Sequence, residues 1–197
     1  MLKRLFDVAC SAIGLVVLSP VLLGAGLATL IDSGRPVIFR QRRVGRMGRV
    51  FHLCKLRTMK RSQGGALITV RGDSRVTRVG RILRKTKIDE LPQLWNVLLG
   101  DMSLVGPRPE IPEYVEQFKA RYEHILAIRP GITDLASMRF RNEEQLLAVS
   151  PEPLREYVER VLPLKLDLAD EYLQTASFSR DLSILLQTVF VTVWKQQ

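Results

Sequence analysis

An uncharged apolar run, residues 8–31, limits how this chain can fold more than any other feature. A helix needs about 20 apolar residues to cross a bilayer, so the run is long enough to do so. Ser19-Pro20 lies near its middle, where the proline removes a backbone donor and the serine hydroxyl can bond a freed carbonyl. The pattern predicts either a single span or a re-entrant helix that bends at Ser19-Pro20 and returns to the same side.

Basic residues flank this run on both sides. Lys3 and Arg4 precede it, and six arginines follow it between residues 35 and 49. Because basic segments favour the cytoplasmic side, both flanks favour one side and therefore the re-entrant form. We predict a monotopic protein in which residues 1–32 form the re-entrant membrane helix and residues 33–197 form a domain on the cytoplasmic face. A cleaved signal peptide would be shorter, and a buried soluble helix would have a polar side.

The net charge of +10 is unevenly distributed along the chain. Residues 1–88 hold 19 Lys and Arg against 3 Asp and Glu, whereas residues 89–197 hold 11 against 17. The basic half predicts contact with anionic lipid headgroups or with a phosphorylated substrate. We expect no nucleic-acid partner, because aromatic residues are sparse in the basic segment and it contains no DNA-binding motif. Cys10 and Cys54 have no metal-ligand spacing and are expected to be free thiols.

The remaining pattern predicts an α+β fold that is mostly helical, with one small β-hairpin and with amphipathic helices at the membrane interface. Residues 36–44 and 49–59 are predicted to be the strands of the hairpin. Arginines at every third position between residues 75 and 84 indicate a helix with a basic face. Loops are expected over residues 60–73 and 101–109, and further helices over 91–99, 110–127, 142–149, 152–175 and from Ser179 onward.

An adjacent acidic pair, Asp89-Glu90, follows a basic stretch and precedes a predicted helix. Acidic residues at a helix N-terminus stabilise the helix dipole, and this alone accounts for many such pairs. The pair also suits chemistry on phosphates: Mg²⁺ takes one or two carboxylates together with substrate phosphates, and a carboxylate can attack a phosphoryl group. Both interpretations stay open on the pair alone.

Cations in several separate segments are candidate phosphate ligands, because phosphoryl transfer depends on positioning and charge neutralisation. Arg108 is the most constrained of them, since a proline on each side restricts its backbone. Any one of these cations, taken singly, is more simply explained as a solvated surface charge. The candidates are Lys55, Arg57, Arg84, Arg108, Arg129 and Arg141.

The run IDELPQLWNVLLGDMSLVGPRPE, residues 88–110, resembles the core signature of the bacterial sugar transferases, the monotopic phosphoglycosyl transferases. The resemblance covers nearly the whole chain. KRLFDV at residues 3–8 is similar to the opening of the family, and Ser19-Pro20 is similar to the helix-breaking pair of its re-entrant helix. Further similar blocks are PVIFRQRRVG at 36–45, KLRTM at 55–59 and RPGIT at 129–133. The chain resembles the short form, without extra N-terminal transmembrane helices.

The resemblance implies an enzyme at the cytoplasmic face of the bacterial inner membrane. Such enzymes move a sugar phosphate from a UDP-sugar onto undecaprenyl phosphate and release UMP, which is the first membrane step of glycan assembly. Asp89 matches the nucleophile that forms a covalent phosphosugar intermediate and also binds Mg²⁺, and Glu90 matches its partner. Membrane and both substrates are the implied partners, and a homodimer is left open. Lys55, Arg84, Arg108 and Arg141 match basic positions around the phosphates.

One segment departs from the family pattern. After RPGIT the family continues Gly-Trp-Ala-Gln, whereas this chain has Asp134-Leu135-Ala136-Ser137. The change leaves open which UDP-sugar is used, and the sequence does not name the glycan pathway. A different class, a non-enzymatic membrane adaptor that binds anionic lipid or a partner through its basic surface, fits the composition equally well. The two hypotheses differ over Asp89, which only the enzyme requires.

Overall fold

The computed structural model describes residues 1–60 and 68–194. The described chain is mostly helical, with two sheets of two strands each. In chain order its elements are α1 (Leu2–Val17), α2 (Ser19–Ser33), β1 (Ile38–Val44), β2 (Val50–Leu56), α3 (Arg78–Thr86), α4 (Gln93–Leu99), β3 (Ser103–Val105), α5 (Pro112–Gln117), α6 (Lys119–Ile125), β4 (Gly131–Thr133), α7 (Leu135–Arg139), α8 (Glu143–Ala148), α9 (Pro153–Glu156), a π-helical turn (Tyr157–Val161), α10 (Leu162–Thr175) and α11 (Phe178–Trp194).

The predicted break in the apolar run is present. Helices α1 and α2 meet at Leu18 and are bent by 61° relative to each other. Pro20 lies in the first turn of α2, where its missing N–H costs no hydrogen bond, and the Ser19 hydroxyl donates to the Val16 carbonyl at 2.7 Å. Among the described helices none is by itself both long and apolar enough to cross a bilayer, and only α1 and α2 taken together reach that length.

The first turns of α1 are docked on the rest of the protein. Asp7, which is buried, accepts hydrogen bonds from the Ser103 hydroxyl at 2.7 Å and the Leu104 amide at 3.3 Å. Lys3 forms an ion pair with Asp181 at 2.5 Å and donates to the Tyr172 hydroxyl at 3.1 Å. These contacts join α1 to β3, α10 and α11, so the start of the apolar segment is part of the packed fold.

The predicted β-hairpin is confirmed. β1 and β2 pair antiparallel in register from Ile38 opposite Leu56 to Val44 opposite Val50. Phe51 and Leu53 are buried on one face of the hairpin and pack in a core cluster that α4, β3, α10 and α11 complete. The hairpin thereby brings Lys55, near the end of β2, within 2.9 Å of the Glu90 carboxylate.

A second sheet was not predicted, because its strands have only three residues each and show no alternating pattern. β3 lies within the segment expected to be a loop, and it pairs parallel with β4. Gly106, directly after β3, and Gly131, the first residue of β4, lie so close together that only glycine fits at either position. A Cβ on Gly106 would lie 2.6 Å from the Arg129 carbonyl oxygen, and one on Gly131 would lie 2.2 Å from the Gly106 nitrogen. The loops that follow β3 and β4 therefore lie side by side.

Several predicted helices have different bounds. The helix expected over 110–127 is divided at Phe118 into α5 and α6. The one expected over 152–175 consists of α9, the π-helical turn and α10, and the final helix begins at Phe178. α3 is amphipathic as expected, with Arg78, Arg81 and Lys85 exposed. Half of the predicted loop over 60–73, namely residues 61–67, lies outside the described residues, as do residues 195–197 beyond the last helix.

Candidate active site

A large open cleft lies between the β-hairpin, α3, the turn before α4 and the loops that follow β3 and β4. Both acidic candidates and most of the basic candidates line it. The lining residues that matter for the argument are Lys55, Arg84, Asp89, Glu90, Arg108, Asp134, Ser137, Arg141 and Glu144.

Asp89 lies in a tight turn that precedes helix α4. Lys87 ends α3 in the left-handed conformation, with φ of 59°, and Ile88–Glu90 form a single 3₁₀ turn before Pro92 starts α4. The turn leaves Asp89 only 7% exposed. Its Oδ1 atom is buried and has no hydrogen-bond partner within the described part of the chain. A buried carboxylate oxygen without a partner calls for a ligand.

Glu90, the next residue, is surrounded by positive charge. Its Oε1 accepts hydrogen bonds from Lys55 Nζ at 2.9 Å and from Arg108 Nη2 at 2.6 Å. Arg108 Nη1 lies 3.4 Å from Oε2, so the guanidinium engages both carboxylate oxygens. Burial alone would raise the pKa of Glu90, but Arg108 and Lys55 outweigh burial and hold that pKa well below its usual range.

The two neighbouring carboxyl groups therefore differ in electrostatics. Burial, and then the charge of Glu90, raise the pKa of Asp89, and the attraction of Lys55 and Lys87 offsets only part of this effect. Burial also lowers the pKa of Lys55, while Glu90 acts in the opposite direction. Glu90 is thus an ionised carboxylate paired with two cations. The negative charge of Asp89 is less well balanced by nearby cations, so a bound cation or an electrophile would stabilise it.

Arg108 is held at its backbone as well as at its side chain. Its amide donates to Asp134 Oδ2 at 3.0 Å, and the other oxygen of Asp134 accepts from the Ser137 amide at 2.7 Å. Asp134 is thus the N-cap of α7 and is buried. In the sequence, Asp134 is recognisable only as a departure from the family pattern. The signal was present, since an aspartate directly before a short helical segment is a favoured N-cap.

Arg84 and Arg141 also lie along the cleft, and both have protein partners. Arg84 forms an ion pair with Glu144, which connects α3 to α8 across the opening. Arg141 donates from Nη1 to the Val191 carbonyl oxygen at 2.8 Å, near the end of α11. Glu144 was not singled out from the sequence, because a glutamate on a short polar helix carries no pattern of its own.

Two predicted phosphate ligands are occupied elsewhere. Arg57 is buried, and its guanidinium donates to the carbonyl oxygens of Ser33 at 2.5 Å and Arg35 at 3.1 Å, where it closes the end of α2 onto the hairpin. Arg129 donates to the Gly100 carbonyl oxygen at 2.8 Å, at the C-terminal end of α4, and does not line the cleft formed by the described residues. The structure brings together Lys55, Arg84 and Arg108 around the acidic pair, but not Arg129.

Of the acidic pair, only Asp89 is suited to bind a magnesium ion, so the protein would supply a single carboxylate ligand. Within the ranges 1–60 and 68–194, no group of three or more His, Cys, Asp or Glu side chains is arranged to hold a metal. Mg²⁺ commonly keeps several waters and binds one or two carboxylates plus substrate phosphates, so a single carboxylate is sufficient. Asp89 Oδ1 offers such an oxygen, whereas Lys55 and Arg108 occupy Glu90.

Comparison with known proteins identifies the family. Residues 1–195 match the family model described as bacterial sugar transferase, so the chain belongs to this family of enzymes. A Caulobacter vibrioides protein named UDP-glucose:undecaprenyl-phosphate glucose-1-phosphate transferase is 44% identical over 194 residues, which are 95% of this chain and 68% of that protein. An Escherichia coli protein of the same name is 38% identical over 196 residues, which are 96% of this chain and 40% of that protein.

A further relative differs in the sugar that it is named for. The undecaprenyl-phosphate galactose phosphotransferase of Salmonella typhimurium is 38% identical over 159 residues, which are 72% of this chain and 33% of that protein. The chain therefore spans between one third and about two thirds of the length of these three relatives. Glucose and galactose both occur among the names of these three relatives, so this chain is similar, at 38 to 44% identity, to transferases named for more than one sugar.

Proposed function

We propose that this protein transfers a sugar 1-phosphate from a UDP-sugar to undecaprenyl phosphate, releases UMP and so begins the assembly of a membrane glycan. The names of its relatives support the overall reaction. One observation carries the assignment of the nucleophile: Asp89 Oδ1 is buried and has no partner among residues 1–60 and 68–194, directly beside a glutamate whose two oxygens are bound by cations.

The reaction proceeds in two displacements at phosphorus. In the first, Asp89 attacks the phosphorus that carries the sugar, an aspartyl-phosphate bond forms, and the bond to the UMP oxygen breaks. In the second, an oxygen of undecaprenyl phosphate attacks the same phosphorus, the aspartyl-phosphate bond breaks, and the lipid diphosphosugar leaves. Asp89 ends as the free carboxylate, so atoms and charges balance over the cycle.

Glu90 is the less suitable nucleophile because Lys55 and Arg108 withdraw its charge. Its part is to hold those two cations at the mouth of the cleft, where they face the diphosphate. A guanidinium fork matches two phosphate oxygens, so Arg108 is suited to exchange between Glu90 and substrate. Arg84 and Arg141 add positive charge along the same cleft.

A magnesium ion bound by Asp89 would neutralise charge on the substrate diphosphate and so lessen its repulsion from the acidic pair. The orphaned Oδ1 atom of Asp89 supports this assignment. The chemistry of the two displacements is otherwise that of the protein's own groups, which orient the phosphate through Arg108 and Lys55.

We further propose that the bent pair α1–α2 enters one leaflet of the bacterial inner membrane from the cytoplasmic face. The exposed apolar residues near the bend support this placement, among them Ile13, Val16, Val17, Leu23 and Leu27. The charged flanks and the 61° bend favour return to the same side. A re-entrant segment would bring the cleft to the level of a lipid phosphate.

The decisive experiment separates the two displacements. Purified protein with Mg²⁺ and radiolabelled UDP-glucose, UDP-galactose or UDP-N-acetylgalactosamine, without lipid, is expected to release at most one UMP per protein and to retain labelled sugar phosphate on the peptide that contains Asp89. Added undecaprenyl phosphate should remove the label. Asp89→Asn is the matched control and should neither label nor release UMP. Turnover at wild-type rate in that variant would contradict the proposal.

A further inference from the structure

We infer that Asp134 is a positioning residue that sets the direction in which Arg108 enters the active-site cleft. The inference rests on the proposed function of Arg108 as a phosphate ligand, and it concerns a residue that reaches Arg108 through the backbone amide of that arginine. The supporting observation is that the buried Asp134 carboxylate joins the loop after β3 to helix α7. It accepts hydrogen bonds from two backbone amides, that of Arg108 at 3.0 Å and that of Ser137 at 2.7 Å.

The topology explains why these groups meet. Arg108 follows β3 by three residues and Asp134 follows β4 directly. β3 and β4 are parallel neighbours, so their carboxyl ends lie at the same edge of the sheet. The Gly106 amide, directly after β3, donates to the carbonyl oxygen of Thr133, the last residue of β4, at 3.1 Å, so the two exits are joined at the backbone. Asp134 is only 5% exposed, so the bond to the Arg108 amide is shielded from water.

Arg108 is consequently fixed at both ends. Pro107 and Pro109 restrict the backbone dihedrals around it, but they do not determine how the three-residue unit is rotated as a whole. The bond from its amide to Asp134 removes that freedom, and the bond from its guanidinium to Glu90 holds the other end. If the Arg108 backbone rotates, its guanidinium no longer lines up with two phosphate oxygens. Asp134 would act on the reaction in this way, without contacting the substrate.

Two substitutions separate this role from helix capping. Asp134→Ser retains one short-chain acceptor for the Ser137 amide, as N-cap serines do, but has no second oxygen for Arg108. Asp134→Asn keeps the shape, but its amide group must direct N–H donors at one of the two backbone N–H groups. We expect Asp134→Ser to melt within a few degrees of wild type and yet to lose about tenfold in kcat/KM for the UDP-sugar, and Asp134→Asn to lose at least as much.

The test is a double-mutant cycle with Arg108→Ala, read as UMP release with the UDP-sugar that supports turnover. If Asp134 acts through Arg108, Asp134→Ser has no further effect once the arginine side chain is gone. A multiplicative loss in the double variant would show a general structural role and overturn the inference, as would full activity of Asp134→Ser. Ser177→Ala, which removes a hydroxyl bonded to the Arg180 amide near the start of α11, is the matched control for loss of a capping hydroxyl.

A second readout does not depend on activity. Pro107 and Pro109 have no amide hydrogen, so hydrogen exchange within Pro107–Pro109 reports the Arg108 amide alone. We expect that amide to be protected in wild type and to exchange faster in Asp134→Ser, with Ser177→Ala unchanged. Equal exchange of the Arg108 amide in wild type and in Asp134→Ser would overturn the inference. If wild type releases no UMP while the exchange result holds, the proposed reaction fails and the positional link between Asp134 and Arg108 stands.

Discussion

Arg108 and Glu90 form a forked ion pair, with Nη2 2.6 Å from Oε1 and Nη1 3.4 Å from Oε2. Lys55 binds the same Oε1 from the hairpin side at 2.9 Å. The pair joins the turn before α4 to the loop after β3, and it places the two adjacent carboxylates in different electrostatic environments. Glu90 is neutralised by its partners, and Asp89 is not.

Glu90→Gln is expected to abolish turnover and to destabilise the fold by about 3 kcal/mol, because Lys55 and Arg108 would remain partly buried without a counter-charge. The measurement is thermal unfolding in detergent, together with UMP release. Glu159→Gln is the matched control: its ion pair with Arg155 is exposed on both sides, so its loss should leave the melting temperature close to that of wild type. Equal shifts in the two variants would contradict the importance of the buried pair.

Asp89→Asn is expected to be inactive but more stable than wild type. Burial raises the pKa of Asp89 above its ordinary value of 3.8, so the folded protein binds this proton more tightly than the unfolded chain does. At neutral pH the ionised group opposes folding, and the opposition lessens as pH falls through the raised pKa. The melting-temperature advantage of the asparagine variant, measured in excess chelator, should therefore be largest near pH 7.5 and shrink towards pH 4. An advantage that grows in acid would contradict the assignment.

Arg108→Lys keeps the charge but loses the planar fork. We expect kcat/KM for the UDP-sugar to fall about a hundredfold, as for loss of one donor to a reacting oxyanion, with the fold retained. Arg129→Lys is the instructive comparison, because the structure uses Arg129 to bond the Gly100 carbonyl at the end of α4. It should lower the melting temperature and leave the KM for the donor close to wild type. A large rise in KM in Arg129→Lys would restore Arg129 as a phosphate ligand.

Removal of divalent cations should abolish turnover, and Mg²⁺ should restore it. The acidic pair would otherwise repel the incoming diphosphate, and a cation at Asp89 removes that repulsion. Titration of Mg²⁺ into chelated protein, followed by UMP release, provides the measurement. Activity at the wild-type rate in excess chelator would show that the arginines and Lys55 suffice.

The proposed re-entrant topology predicts that both flanks of the apolar segment share one compartment. Cysteines introduced at residues 2 and 34 in a Cys10→Ser, Cys54→Ser background should both resist an impermeant thiol reagent in intact cells. Both should react after lysis. Labelling at residue 2 in intact cells would show a complete span instead.

The sequence was informative where a pattern repeats or a residue restricts the backbone. Ser19-Pro20 predicted the bend, and the two short strand-like segments 36–44 and 49–59 predicted the hairpin, which the structure has over Ile38–Val44 and Val50–Leu56. The β3–β4 sheet escaped prediction because strands of three residues carry no period, and Phe118 divides a helix that periodicity alone would continue. Among the cations, the flanking prolines distinguished Arg108, but the sequence did not show that Arg57 and Arg129 bond backbone carbonyls, which every residue possesses.

The docking of α1 determines how the protein can be truncated or fused. Asp7 bonds β3, Lys3 bonds α10 and α11, and Phe6 packs edge-on against Phe178 at 5.3 Å between ring centres. A cut before β1 would therefore remove the Lys3 partner of Asp181 and Tyr172 and the Asp7 partner of β3. The segment proposed to enter the lipid also packs against the core through Phe6 and Cys10, so we expect its exchange for a foreign anchor, or its removal to give a soluble enzyme, to destabilise the fold.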